Sequence, residues 1–127
     1  MHPRTFFIDG KDFVNLEGFY DVFSRTVLPG VTWGRNLDAF DDALHGDTGE
    51  LHSGDTIVWK NPMLSRMCLG YDETVRQLER QLREADPSHH DAIREAIALA
   101  KTKKGETVFD WLVEIFREHD NITLVLG

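Results

Sequence analysis

Three short apolar runs, at residues 5–8, 56–59 and 122–126, constrain the fold of this chain more than any other feature. Each run has the length of a β-strand, and amphipathic segments with helical spacing lie between them. Strands that are separated by helices usually pair in parallel, through right-handed crossovers. The sequence therefore predicts an α/β protein built on a three-stranded parallel sheet.

Cap residues and apolar spacing predict three of the helices. Asn15, Asn36 and Thr107 can each accept a hydrogen bond from an unpaired amide in the first turn of a helix. Apolar residues at helical spacing follow each of these caps. The predicted helices run over about residues 16–28, 37–44 and 108–119.

Two more helices are predicted in the middle of the chain. Both carry an apolar stripe and oppositely charged residues four positions apart, as helices on a protein surface do. Asp86-Pro87 separates them, so we expect an antiparallel helical hairpin. The hairpin helices are predicted at residues 71–85 and 88–103, after an irregular connector at residues 60–70.

Composition narrows the class of partner. The 127 residues carry a net charge of −8, and a hydrophobic content of 41% with eight Phe and three Trp indicates a folded domain. Direct binding to nucleic acid is not expected, because affinity for phosphates depends on clustered Lys and Arg. The acidic balance favours a basic partner, or serves solubility alone.

The expected location is the cytoplasm. The only cysteine, Cys68, cannot form an intramolecular disulfide, and the first residues do not begin a signal peptide. No apolar run approaches the roughly 20 residues that a bilayer crossing requires, so no membrane association is expected.

The most marked local feature is the acidic helix predicted after Asn36. Asp38 and Asp42 lie on one face of it, with Asp41 between that face and the apolar one, and no Lys or Arg occurs in residues 36–59. Asp38 can stabilise the positive helix N-terminus, whereas Asp42 lies beyond it and repels Asp38. A solvated acidic face remains open as an interpretation, but the pattern favours a surface that binds a positively charged partner.

Two motifs connect the chain to a known family. The first is WG-x-NLDA-x-x-D-x-L at residues 33–44, and the second is V-x-x-FRE at 113–118, followed by NITLVL at 121–126. Together with the start of the chain at residues 6–10, they resemble the barstar family of intracellular inhibitors of barnase-type ribonucleases. The resemblance implies a barstar-like fold, with helices packed on one side of the parallel sheet.

The same resemblance implies a function. An acidic helix and the loop before it would enter the active site of a small basic ribonuclease, where carboxylates stand in for RNA phosphates. Asp42 would occupy the phosphate pocket and Asp38 would face basic residues of the enzyme. The partner-binding residues implied in this way are Trp33, Gly34, Asn36, Asp38, Asp41, Asp42 and Glu118.

Several features depart from the family's pattern. Thr32, Asp41 and Asp47 stand where aromatic residues are expected, and Arg35 stands where an acid is expected. The target is therefore expected to be barnase, a related ribonuclease or a ribonuclease toxin, in which case the chain is an immunity protein. Against a minimal family member, residues 61–104 are interpreted as a helical insertion within a single domain that spans the chain.

Two other functions remain open. The hairpin could be the working surface of an adaptor, with the rest of the chain as its platform. Alternatively, Asp38, Asp42 and His45 could act as acid, base or metal ligands of a small enzyme. His and acidic residues at positions 45–55 match no strong ligand spacing, and no nucleophile or phosphate-binding loop is evident. We therefore expect no catalytic residue, metal or cofactor.

Overall fold

The computed structural model describes residues 3–45 and 51–127. Its three strands form one parallel sheet in the order β1-β2-β3, as the sequence predicts. The strands are β1 Thr5–Asp9, β2 Thr56–Lys60 and β3 Thr123–Leu126. The α-helices in these residues are α1 Leu16–Val27, α2 Leu37–Ala43, α3 Pro62–Cys68, α4 Tyr71–Glu84, α5 His90–Lys101 and α6 Val108–Arg117.

Helices cover one face of the sheet. Because side chains alternate along a strand, Ile8, Ile57 and Trp59 are fully buried in the core, whereas Phe7 and Val125 are exposed on the opposite face. The expected barstar-like arrangement, a parallel sheet with helices packed on one side, is confirmed. None of the helices in residues 3–45 and 51–127 combines the length and the apolar character that a bilayer crossing needs.

An aromatic cluster forms the centre of the core and positions α2. The buried ring of Phe40 lies between α1 and α6, with ring centroids 5.5 Å from Phe19, 5.0 Å from Phe23 and 5.1 Å from Phe116. All three pairs are edge-to-face, the geometry that aromatic quadrupoles favour. The apolar side of α2 is thereby held against two other helices.

The three predicted caps are confirmed. The side chain of Asn15 accepts from the Gly18 amide at 2.8 Å, and that of Asn36 accepts from the Ala39 amide at 2.8 Å. Thr107 forms a capping box with Asp110. The helices end one or two residues earlier than the apolar spacing predicts, as is common where last turns fray.

The prediction of an irregular connector at residues 60–70 is wrong, because α3 occupies most of it. Pro62 lies in the first turn, where its fixed φ suits a helix and its missing N–H costs nothing. Met63 and Met67 are exposed, so α3 shows no apolar stripe from which it could be recognised. It is held instead by the buried Ser65, whose hydroxyl accepts from the Trp59 indole at 2.9 Å.

The predicted hairpin is present, and its first helix is tied into the core. α4 and α5 pack together around Leu78 and Ala100. The carboxylate of the buried Glu73 accepts from the Leu16 amide at 2.9 Å, and the hydroxyl of Thr74 accepts from the Val108 amide at 2.9 Å. These amides belong to the first turns of α1 and α6, so α4 satisfies donors that those helices cannot satisfy themselves.

Glu73 should make stability depend on pH. Burial raises the pKa of its carboxyl, but hydrogen bonds from Arg76 and the Leu16 amide outweigh burial and hold the pKa below its ordinary value of 4.5. A carboxylate of this kind stabilises the fold above its unfolded-state pKa, and that contribution is lost as the pH falls through the lower folded-state pKa.

We therefore expect Glu73→Ala to lower the free energy of unfolding by about 1–3 kcal/mol at neutral pH, because the buried Leu16 amide loses its acceptor. In Glu73→Gln the acid-induced loss of stability below about pH 4.5 should be smaller than in the wild type. Urea unfolding at several pH values measures both effects. Glu79→Gln, at an exposed position of the same helix, is the control, and an equal response from it would contradict the assignment.

Candidate functional site

The loop before α2 is anchored by Trp33. Its ring is partly buried against α1, with centroids 5.5 Å from Tyr20 and 5.8 Å from Phe23. Its indole N–H donates to the hydroxyl of Ser24 at 2.5 Å. Trp33 thus fixes the path of the loop while part of the ring stays accessible.

The two residues after Trp33 direct the chain into α2. An added Cβ on Gly34 would lie 3.0 Å from the side-chain nitrogen Nδ2 of Asn36 and 3.0 Å from the Ala39 Cβ, so the backbone passes close to the helix cap. Arg35 adopts a left-handed conformation with φ of 50° and pairs with Asp21 on α1. The departure at Arg35 therefore supplies a contact within the chain.

The three aspartates of α2 are not equivalent. Asp38 and Asp42 are exposed, and neither forms an ion pair with another residue in the described parts of the chain. Asp41 is half-buried, and its Oδ1 lies 2.6 Å from Nε2 of His119. Of the three aspartates implied to bind a partner, two therefore face solvent and one is engaged internally.

The end of α6 lies beside α2. Glu118 caps the C-terminus of α6 and is exposed, and the next residue, His119, makes the contact with Asp41. Asn121 also donates to the Leu44 carbonyl, just after α2, at 3.1 Å. The structure thus brings the second sequence motif, which contains Glu118, next to the first.

A cleft of about 760 Å³ opens beside the cap of α2. Gly34, Asn36 and Asp38 line one side of it, and Arg80, Gln81 and Glu84 of α4 line another. The sequence of the hairpin indicates no chemistry of its own. No signal in the sequence indicates this wall, because it depends on how α4 packs across α1.

The His and acidic residues at positions 45–55, considered above for a metal site, do not come together as one group among the described residues. Asp47 and Glu50 lie outside the described residues. Asp55 is buried and accepts from the amides of Arg4 and His52, both at 2.8 Å, so it stabilises the chain near β2. His45 is exposed, and it lies near Asp41 and His119 rather than near Asp55.

A family model described as Barstar (barnase inhibitor) matches residues 3–122 of the chain. The match includes the motifs at residues 33–44 and 113–118, but it ends at residue 122, within the NITLVL run. It covers the first two strands and all the helices among the described residues. No curated protein matches the chain.

The cap of α2 gives a test of how the acids are positioned. Asn36→Ala should lower the free energy of unfolding by about 0.5–2 kcal/mol, because the first turn of α2 loses its side-chain acceptor. Asn36→Ser keeps an oxygen at the cap and should lose much less. Urea unfolding of the two variants measures the difference. Equal stability of both would show that the cap does not hold α2.

Proposed function

The chain belongs to the barstar family, and we propose that it is a stoichiometric inhibitor of a small basic ribonuclease or of a ribonuclease toxin. The observation that carries the proposal is the pair of exposed carboxylates, Asp38 and Asp42, on a short helix. The family is that of an inhibitor rather than an enzyme. A chain that acts against a toxin in this way is an immunity protein.

The chemistry of mimicry supports this role. A ribonuclease binds the RNA backbone with Arg and Lys side chains, and the same donors form charge-assisted hydrogen bonds with a carboxylate. Asp42 is the residue proposed to enter the phosphate site, and Asp38 is proposed to face other cations of the enzyme. The net charge of −8 adds a long-range attraction that accelerates encounter with a basic partner.

Rigidity supports it as well. Binding costs less when the groups that make contact are already ordered. α2 is capped by Asn36, packed through Phe40 and joined to the end of α6 through Asp41. Asp38 and Asp42 therefore project from a helix that three separate contacts already hold in place without a partner.

The remaining implied residues take different parts in the proposal. Trp33 and Gly34 shape the loop that would contact the enzyme, and Glu118 supplies a further acid from the end of α6. Asp41 is proposed to act mainly by positioning, because its carboxylate already contacts His119.

The hairpin is proposed to contribute to partner selection. Residues 61–104 remain a proposed insertion within one domain, and α4 forms a wall of the cleft beside Asp38. A loop of the ribonuclease that rises next to the bound helix would meet Arg80 and Glu84 there. We therefore propose that the hairpin acts in the same interface rather than as a separate adaptor surface.

The proposal is tested by titrating the purified chain into a panel of basic single-domain ribonucleases, barnase among them, and measuring RNA cleavage. We expect the activity of at least one enzyme to fall linearly with added chain and to vanish at one equivalent. A panel in which every enzyme keeps its full activity in a large excess of the chain would contradict the proposal.

Asp42→Asn should weaken binding to the inhibited enzyme roughly tenfold to a hundredfold, because a hydrogen bond to a charged group contributes about 1.5–3 kcal/mol. Glu95→Gln, at an exposed position on α5, makes the same change in net charge away from α2. Calorimetric titration of both variants, with circular dichroism to verify the fold, separates local contact from overall charge. Losses of equal size in the two variants would rule out the role of Asp42.

A further inference from the structure

Three side chains with metal-binding donor atoms meet where α2 ends beside the end of α6. They are Asp41, His45 and His119, and their donor atoms all lie within 4.8 Å of one another. The two imidazole rings are edge-to-face with centroids 4.7 Å apart. We propose that these residues form a binding site for one divalent transition-metal ion of the zinc class.

The local structure explains how the donors converge. Asp41 and His45 are four residues apart, and the His45 amide donates to the Asp42 carbonyl at 3.1 Å, so the turn continues beyond α2 and both side chains project from the same side. His119 arrives from a distant part of the chain, and its amide donates to the Phe116 carbonyl at 3.2 Å. Its ring is only 7% exposed, which holds one ligand in place.

The donor set selects the class of ion. Two imidazole nitrogens with one carboxylate oxygen suit Zn²⁺, which is commonly four-coordinate with nitrogen, oxygen or sulfur ligands. Ca²⁺ and Mg²⁺ prefer six or more oxygen ligands. Of these three residues only Asp41 offers oxygen, so the site does not suit either ion. An ion on three protein ligands keeps a fourth position for water or for another molecule.

The required rearrangement is small. Ligand atoms about 2.0–2.2 Å from a tetrahedral ion lie roughly 3.3 Å from one another. His119 and Asp41 are already closer than this, at 2.6 Å, and would separate slightly to admit the ion. His45 is exposed and follows the end of α2, so rotation of its side chain can close the remaining gap.

An ion pair between Asp41 and His119 would account for two of these residues but not for His45. His45 also has a ring contact with His119, so only its effect on metal affinity separates a metal site from a purely structural contact. The site also does not depend on ribonuclease inhibition, because all three ligands belong to this chain. The ion would bind Asp41, the residue before Asp42, and would add positive charge at that end of α2.

The test uses the full chain, without a histidine tag, in metal-free buffer. Calorimetric titration with ZnCl₂ should show one equivalent bound with a Kd in the micromolar range or below, and Zn²⁺ should raise the melting temperature. Co²⁺ should give the strong visible absorption of a tetrahedral site. Failure of the wild type to bind Zn²⁺ stoichiometrically would overturn the proposal.

Two matched variants locate the ion. His45→Gln keeps the Asp41–His119 contact and removes only the ring contact of an exposed side chain. Its melting temperature without metal should therefore stay close to that of the wild type, while its affinity for Zn²⁺ should fall at least tenfold. His89→Gln removes an exposed histidine from the turn between α4 and α5 and should bind as the wild type does. Unchanged affinity in His45→Gln, or an equal loss in His89→Gln, would overturn the assignment.

Discussion

The packing of Phe40 between α1 and α6 is the interaction on which the proposed binding surface depends. α2 has seven residues, and a helix of that length is not stable alone in water because its nucleation cost exceeds what so few hydrogen bonds return. Edge-to-face contacts with Phe19, Phe23 and Phe116 supply the missing stability. The apolar side of α2 is thereby fixed, and its acidic side faces solvent.

This arrangement lets a small domain combine rigidity with uncompensated charge. No Lys or Arg occurs in residues 36–59, which contain the acids of α2, and Asp38 and Asp42 form no ion pair among the described residues. Repulsion between them costs a few tenths of a kcal/mol, about 0.2–0.5, which is small beside the packing of one buried aromatic ring. The fold can therefore maintain a surface that is electrostatically unfavourable in the absence of the proposed basic partner.

The hairpin lies beside that surface and is also part of the framework of the fold. Glu73 and Thr74 bind the first-turn amides of α1 and α6, so the first half of α4 is part of the framework. Farther along the same helix, Arg80 and Glu84 line the cleft beside the α2 cap. One helix thus links the stability of the core to the shape of the proposed interface.

The sequence by itself determined the parallel sheet, the three capped helices, the hairpin and the acidic face of α2, because these follow from apolar periodicity and local cap chemistry. It did not indicate α3, whose apolar side chains are largely exposed and whose contacts with the core include a buried serine. Only the tertiary structure decided that Asp41 contacts His119 across 78 positions and that α4 borders the cleft. Such contacts depend on how helices pack, and no local pattern of residue types encodes which distant side chain a given carboxylate will meet.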